Sequence, residues 1–292
     1  MISHHKLLSL QGIQSQQDIM SLDNIMSYGC SVRGFFRADL QSVAAQGYCL
    51  MPEWICQSMV ESVYAANWQP LFYPVLPPKQ ASMILQADFH AVMEMLSPLP
   101  QPCAILLAHP LGYIDPGCME FLREIQNNHD IHVFLDLSQG YGRKDCLQEL
   151  LHVHAAYYSF NGNKLICIGG ALRLRLTNRE HIPSSVRNIF TTFYTAAEEK
   201  FVALREHLQS HFIEDEIHNV SLYASYQSSP YRTVLNWEKC SPSLQTLLKH
   251  QGLVQPLLAN PRQEKGHCSL NYHQWCEKVM LMFSLPRVEW SQ

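Results

Sequence analysis

The sequence predicts an α/β protein: a mainly parallel sheet with helices on both faces, followed by a small α+β region. Three observations predict it. Short, continuously apolar runs alternate with helix-period stretches through the first half of the chain, as expected of parallel strands buried on both faces. The pattern changes near residue 190, where helical and polar stretches replace the regular alternation. The composition suits a sizeable core: of 292 residues, 47% are hydrophobic and only 16% charged, which also excludes a disordered chain.

The elements follow in order. Apolar runs lie at 48–52 (YCLMP), 70–75 (PLFYPV), 103–109 (CAILLAH), 132–137 (HVFLDL), 155–160 (AAYYSF) and 165–176 (LICIGGALRLRL). Helical periodicity fills 37–46, 55–66, 87–96 and 118–126. Within the last run, ALRLRL alternates apolar and basic residues, which predicts a half-exposed strand near a sheet edge. Gly169 and Gly170 let that strand pass close to other backbone. Beyond it, 192–208 reads as a helix with Phe193, Ala197, Phe201 and Leu204 near one face, and 219–229 is polar and turn-prone. A strand at 231–237, a helix near 243–251 and a closing helix near 272–282 complete the chain. The implied division is an N-terminal arm (1–25), a large domain (26–190) and a small C-terminal domain (191–292).

The balance of charge narrows the function. Lys and Arg number 21 against 25 Asp and Glu, a net charge of -4, which gives no global attraction to nucleic acid or anionic membranes. Arg173, Arg175 and Arg179 make only a short basic strand edge. No stretch approaches the roughly 20 continuous apolar residues of a membrane span, and no signal-peptide core opens the chain. A cytoplasmic protein is expected. The 10 cysteines include no C-x-x-C pair, and several sit in apolar runs, so reduced, buried thiols are expected. The 15 histidines offer no complete ligand set, and no metal is expected.

Chemistry in an open α/β sheet sits beyond the carboxyl ends of its strands. Asp136 ends one apolar run, Ser159 lies near the end of another, and Lys164 follows in the short loop NGNK. Alone, an Asp and a Lys at neighbouring strand ends form an ion pair. A sheltered Lys amine also forms Schiff bases with carbonyl cofactors, and pyridoxal phosphate needs such a Lys plus a carboxylate that keeps its ring nitrogen protonated.

Several motifs in order carry a resemblance. They are Met51-Pro52-Glu53-Trp54, the turn His109-Pro110-Leu111-Gly112, Asp136-Leu137-Ser138-Gln139-Gly140, and Ser159-Phe160-Asn161-Gly162-Asn163-Lys164 followed by Gly169-Gly170-Ala171. In this order and spacing the chain resembles the DegT/StrS-type sugar aminotransferases, which are fold-type-I enzymes dependent on pyridoxal 5'-phosphate. The resemblance runs from about Ser31 onward. It implies a mainly parallel, seven-stranded-type sheet and a homodimer. It also implies transfer of an amino group, from glutamate, to a nucleotide-linked keto sugar.

Carried over by residue, Lys164 would hold the cofactor as a Schiff base and Asp136 would pair with the ring nitrogen. Gln139 would lie near the phenolic oxygen, Ser159 would bind the phosphate and Trp54 would stack on the ring. His109 reads as a structural turn residue. The chain departs from the family in two places. The phosphate turn, usually Gly-Thr, reads Cys30-Ser31-Val32-Arg33-Gly34, leaving Ser31, the backbone of Val32 and Arg33, and the Arg33 charge for an anion. The C-terminal half is short for the family. A second reading therefore stands beside the first: a protein of the same fold that binds pyridoxal phosphate, or a related phosphate ligand, in a regulatory role without turnover.

Overall fold

A computed structural model describes residues 25–76, 86–109, 115, 117–126, 130–139, 146–160, 169–176, 181–188, 190, 191, 195, 232–250, 254–256 and 279–283. Its principal body is built from β1 (Met26–Gly29), α1 (Val32–Val43), β2 (Tyr48–Pro52), α2 (Gln57–Ala65) and β3 (Gln69–Tyr73). The short strands β4 (Val75–Leu76) and β5 (Gln86–Ala87) follow, then α3 (Phe89–Leu96), β6 (Cys103–Ala108), α4 (Cys118–Ile125) and β7 (Ile131–Asp136). The last elements of this body are α5 (Cys146–Glu149), β8 (Ala155–Ser159) and β9 (Ala171–Leu174). Seven strands form one sheet in the order β1-β9-β8-β7-β6-β2-β3. Strands β3, β2, β6, β7 and β8 run parallel, and β9 pairs antiparallel with both β8 and β1.

Two cores sandwich this sheet, and strand pleating sorts residues between them. In β6, Cys103, Ile105 and Leu107 enter one cluster while Ala104 and Leu106 enter the other. The first cluster takes Val92 and Leu96 of α3 and Phe121, Leu122 and Ile125 of α4. The second takes Val32, Phe36 and Leu40 of α1 and Met59, Val60 and Val63 of α2. The helix after β2 thus covers one face and the helix after β6 the other. That change of face makes the β2/β6 boundary the switch point where a crevice opens beyond the strand ends.

The sequence expectations at 55–66, 87–96 and 118–126 meet helices within two residues of each end. Elsewhere the structure corrects them. Helix α1 starts at Val32, ahead of the expected 37, because Ser31 caps it: its extended backbone stops the helix and its Oγ accepts from Gly34 N at 3.2 Å. The basic strand β9 lies one strand in from the sheet edge, near it as the alternation predicts. Strand β1, unforeseen in the sequence, pairs outside it, with Ser27 opposite Arg173. Gly170 passes close to that neighbour as expected: its φ is +81°, and a Cβ there would lie 2.8 Å from Gly29 O.

In the C-terminal region, β10 (Arg232–Asn236), α6 (Pro242–His250), β11 (Val254–Pro256) and β12 (Val279–Phe283) are described, and β12 lies between β10 and β11 in an antiparallel sheet. The expected closing helix at 272–282 is therefore wrong over its last residues. The run VMLMF is apolar throughout, so its period alone does not tell a buried strand from a helix. Pairing on both sides makes it a strand. The expected helix at 192–208 and the turn at 219–229 lie almost wholly outside the described residues. Among the described residues, no helix is long and apolar enough to cross a membrane.

Candidate functional site

The crevice at the switch point is a cavity of about 520 Å³, within the range of small-molecule sites, roughly 300–1,000 Å³. Its walls come from the turn before α1, the loop between β2 and α2, and the carboxyl ends of β6, β7 and β8. Ser31, Val32, Arg33, Trp54, Asp136, Gln139 and Ser159 all line it. Every site residue expected from the sequence is thus gathered in one cavity, save Lys164, which lies outside the described residues.

One end of the cavity suits an anion. Ser31 caps α1, whose first turn contains no acidic residue. Gly34 N–H goes to Ser31 Oγ and Phe35 N–H to Ser31 O, so the N–H groups of Val32 and Arg33 are the helix-terminal donors an incoming anion would meet. Arg33 adds an exposed guanidinium. Helix α2 also presents its N-terminus here through Cys56, Ser58 and Met59, again with no acid in its first turn. Two positive helix ends and an arginine therefore face the same space.

The floor is of opposite sign. Asp136 is the last residue of β7, opposite Ala108 of β6, and its Oδ1 accepts from Ser138 N at 2.9 Å. That bond fixes the carboxylate's rotation at the strand end. Trp54, half-buried, follows β2. Its neighbour Glu53 is buried with Oε1 accepting from Val75 N at 2.9 Å, which ties the loop carrying Trp54 to β4. Ser159 ends β8 on the other flank.

From the sequence, His109 reads as a structural turn residue. It lines the cavity, and its Nε2 lies 2.6 Å from Glu149 Oε2 with both side chains fully buried. Cys118 at the start of α4 brings a third donor, all within 4.8 Å of one another. The 2.6 Å spacing is that of a hydrogen bond. Asp115 lies nearby with both oxygens accepting backbone N–H groups, from Gly117 at 2.9 Å and Ala87 at 2.7 Å. Burial raises its pKa, against those bonds. Nothing in the sequence points to the His109–Glu149 pair, because its members are 40 residues apart.

The donor set fits pyridoxal phosphate: a carboxylate for a ring nitrogen, a flat aromatic side chain, and a helix N-terminus with a hydroxyl and a guanidinium for a phosphate.

No protein-family model matches the chain. No curated protein matches it either. Solved structures similar to it include the sugar aminotransferase CalS13 from Micromonospora echinospora, at 12% identity and TM-score 0.60, covering 95% of this chain and 86% of that one. NtdA from Bacillus subtilis, with bound cofactor PMP, is similar at 14% identity and TM-score 0.59, covering 96% of this chain and 72% of that one. A DegT DnrJ EryC1 StrS aminotransferase from Brucella abortus is similar at 11% identity and TM-score 0.57, over 89% and 80%. The seven-stranded sheet, the two helical layers and these likenesses together establish that the chain has the fold of the pyridoxal-phosphate-dependent aminotransferases.

Proposed function

We propose that the protein is a pyridoxal-phosphate-dependent aminotransferase that takes an amino group from glutamate and gives it to a nucleotide-linked keto sugar, working as a homodimer. The observation that carries this reading is the gathering of Ser31, Val32, Arg33, Trp54, Asp136, Gln139 and Ser159 in one cavity at the strand ends. The sugar aminotransferases of the same fold support the substrate class.

When bound, the cofactor supplies an electron sink for charge that develops at a substrate carbon. The chain's own residues do the rest. The N–H groups of Val32 and Arg33, the Arg33 guanidinium and the Ser159 hydroxyl would hold the phosphate. Asp136, fixed by Ser138 N–H, would keep a proton on the ring nitrogen by charge pairing. Gln139 would hydrogen-bond the phenolic oxygen, and Trp54 would cover a ring face and exclude water. Lys164 would hold the cofactor as a Schiff base. Displaced by substrate, its Nζ would carry the proton taken from the substrate carbon.

One observation favours a second reading, a regulatory protein that binds the cofactor without turnover. The phosphate turn lacks Gly-Thr, and the Ser31 hydroxyl that stands in its place already caps Gly34. The test is a visible spectrum of the full-length protein with pyridoxal phosphate, then with glutamate. The first reading expects a new visible band that glutamate converts to the pyridoxamine form. A band that no amino donor alters supports the regulatory reading. No band at saturating cofactor contradicts both.

A further inference from the structure

Helix α1 carries the anion-binding end of the cavity, so its placement on the sheet sets the geometry of that end. Its apolar ridge, Val32, Phe36 and Leu40, packs on the sheet. Apolar contact is non-directional and leaves slide and roll weakly specified. A directional contact is made by Asp39, which is 1% exposed among those residues. Its Oδ2 accepts from Tyr157 Oη at 2.7 Å. Its Oδ1 accepts from Arg173 Nη1 at 2.8 Å and from Arg175 Nη2 at 2.5 Å. Arg173 also donates to Ser27 Oγ of β1 at 3.1 Å, and its guanidinium lies 5.0 Å from the Phe35 ring centre. One carboxylate thus ties α1 to β8, to β9 and, through Arg173, to β1.

The tie stands close to the site. Tyr157 and Ser159 are two residues apart on β8 and so share a face. Asp39 lies about 10 Å along the helix from Val32, at 1.5 Å per residue. Burial keeps the Tyr157 hydroxyl protonated, with its pKa well above the ordinary value, so it remains a donor to Asp39.

We propose that Asp39 is a positioning residue that fixes α1 against β8 and β9 so that the Val32 and Arg33 N–H groups and the Ser159 hydroxyl meet on one phosphate group. This rests on the reading of the cavity as a pyridoxal phosphate site. It predicts an effect confined to the phosphate. The test titrates wild type, Asp39→Asn and Tyr157→Phe with pyridoxal phosphate and with pyridoxal, which lacks the phosphate. Asp39→Asn is expected to weaken pyridoxal phosphate about tenfold or more, one or two charge-assisted hydrogen bonds' worth, and pyridoxal by less than about twofold. Tyr157→Phe, which keeps both arginines on Asp39, is expected to act in the same direction and less, and decides the matter if Asp39→Asn does not fold.

Equal weakening of both ligands, or no weakening of the phosphorylated one, overturns the proposal. If wild type binds neither pyridoxal, the cofactor reading fails by itself, and thermal stabilisation by inorganic phosphate then decides for Asp39. Stabilisation present in wild type and reduced in the variants supports the proposal; stabilisation absent from wild type, or unchanged in the variants, overturns it.

Discussion

Two buried acid–base clusters flank the same sheet, one beneath α1 and one bordering the layer of α3 and α4, and they are built differently. Beneath α1, the carboxylate of Asp39 meets three donors, and the arginines that pair with it keep 21% and 41% of their side chains exposed. Their charge stays partly hydrated while the carboxylate is saturated. At His109–Glu149, one carboxylate meets one ring nitrogen at 2.6 Å and both side chains are fully buried. Among the described residues, His109 Nδ1 and Glu149 Oε1 have no hydrogen-bond partner. A buried hydrogen-bonded pair with unmet polar atoms offsets little of its desolvation cost, whereas a saturated carboxylate with part-exposed cations serves as an anchor. The difference separates an element that specifies geometry from one that the fold tolerates beside its cavity.

The largest loss of stability is expected at the tolerated pair. His109→Leu leaves the Glu149 carboxyl group buried without its partner and should lower unfolding free energy by about 4 kcal/mol in denaturant titration. His109→Leu with Glu149→Met should recover most of that loss, because no polar group is then stranded. A double variant no more stable than the single would contradict the contrast. Asp39→Ala comes next at about 3 kcal/mol, moderated because the freed arginines reach water. Tyr157→Phe removes one of three donors and should cost about 1 kcal/mol. Ser31→Ala removes the α1 cap and should cost about 1 kcal/mol, with weaker phosphate affinity read in the same samples by titration.

Much of the fold was legible because buried parallel strands are continuously apolar, as in CAILLA of β6 and VFL of β7. Asp136 and Ser159 were legible as polar residues ending such runs. Trp54 and the Ser31–Arg33 turn were legible through their place in a motif order; nothing about a tryptophan alone marks a cofactor site. Strand β1 is four residues long, MSYG, and carries no apolar run to betray it. It takes the edge and leaves β9 one strand in. The alternation in ALRLRL correctly separates two faces, and the part-exposed arginines of its basic face also meet Asp39 and Ser27 of β1. Asp39 itself was illegible, because its partners lie 118, 134 and 136 residues away in sequence. Only the completed sheet brings them together.

On the proposed function, the strand-end cavity holds pyridoxal phosphate covalently through Lys164. Borohydride reduction of the cofactor-saturated protein, followed by peptide mapping, tests it directly. One dominant pyridoxyl label is expected, on Lys164, absent from Lys164→Ala. A label spread over other lysines, or none at saturating cofactor, would contradict it.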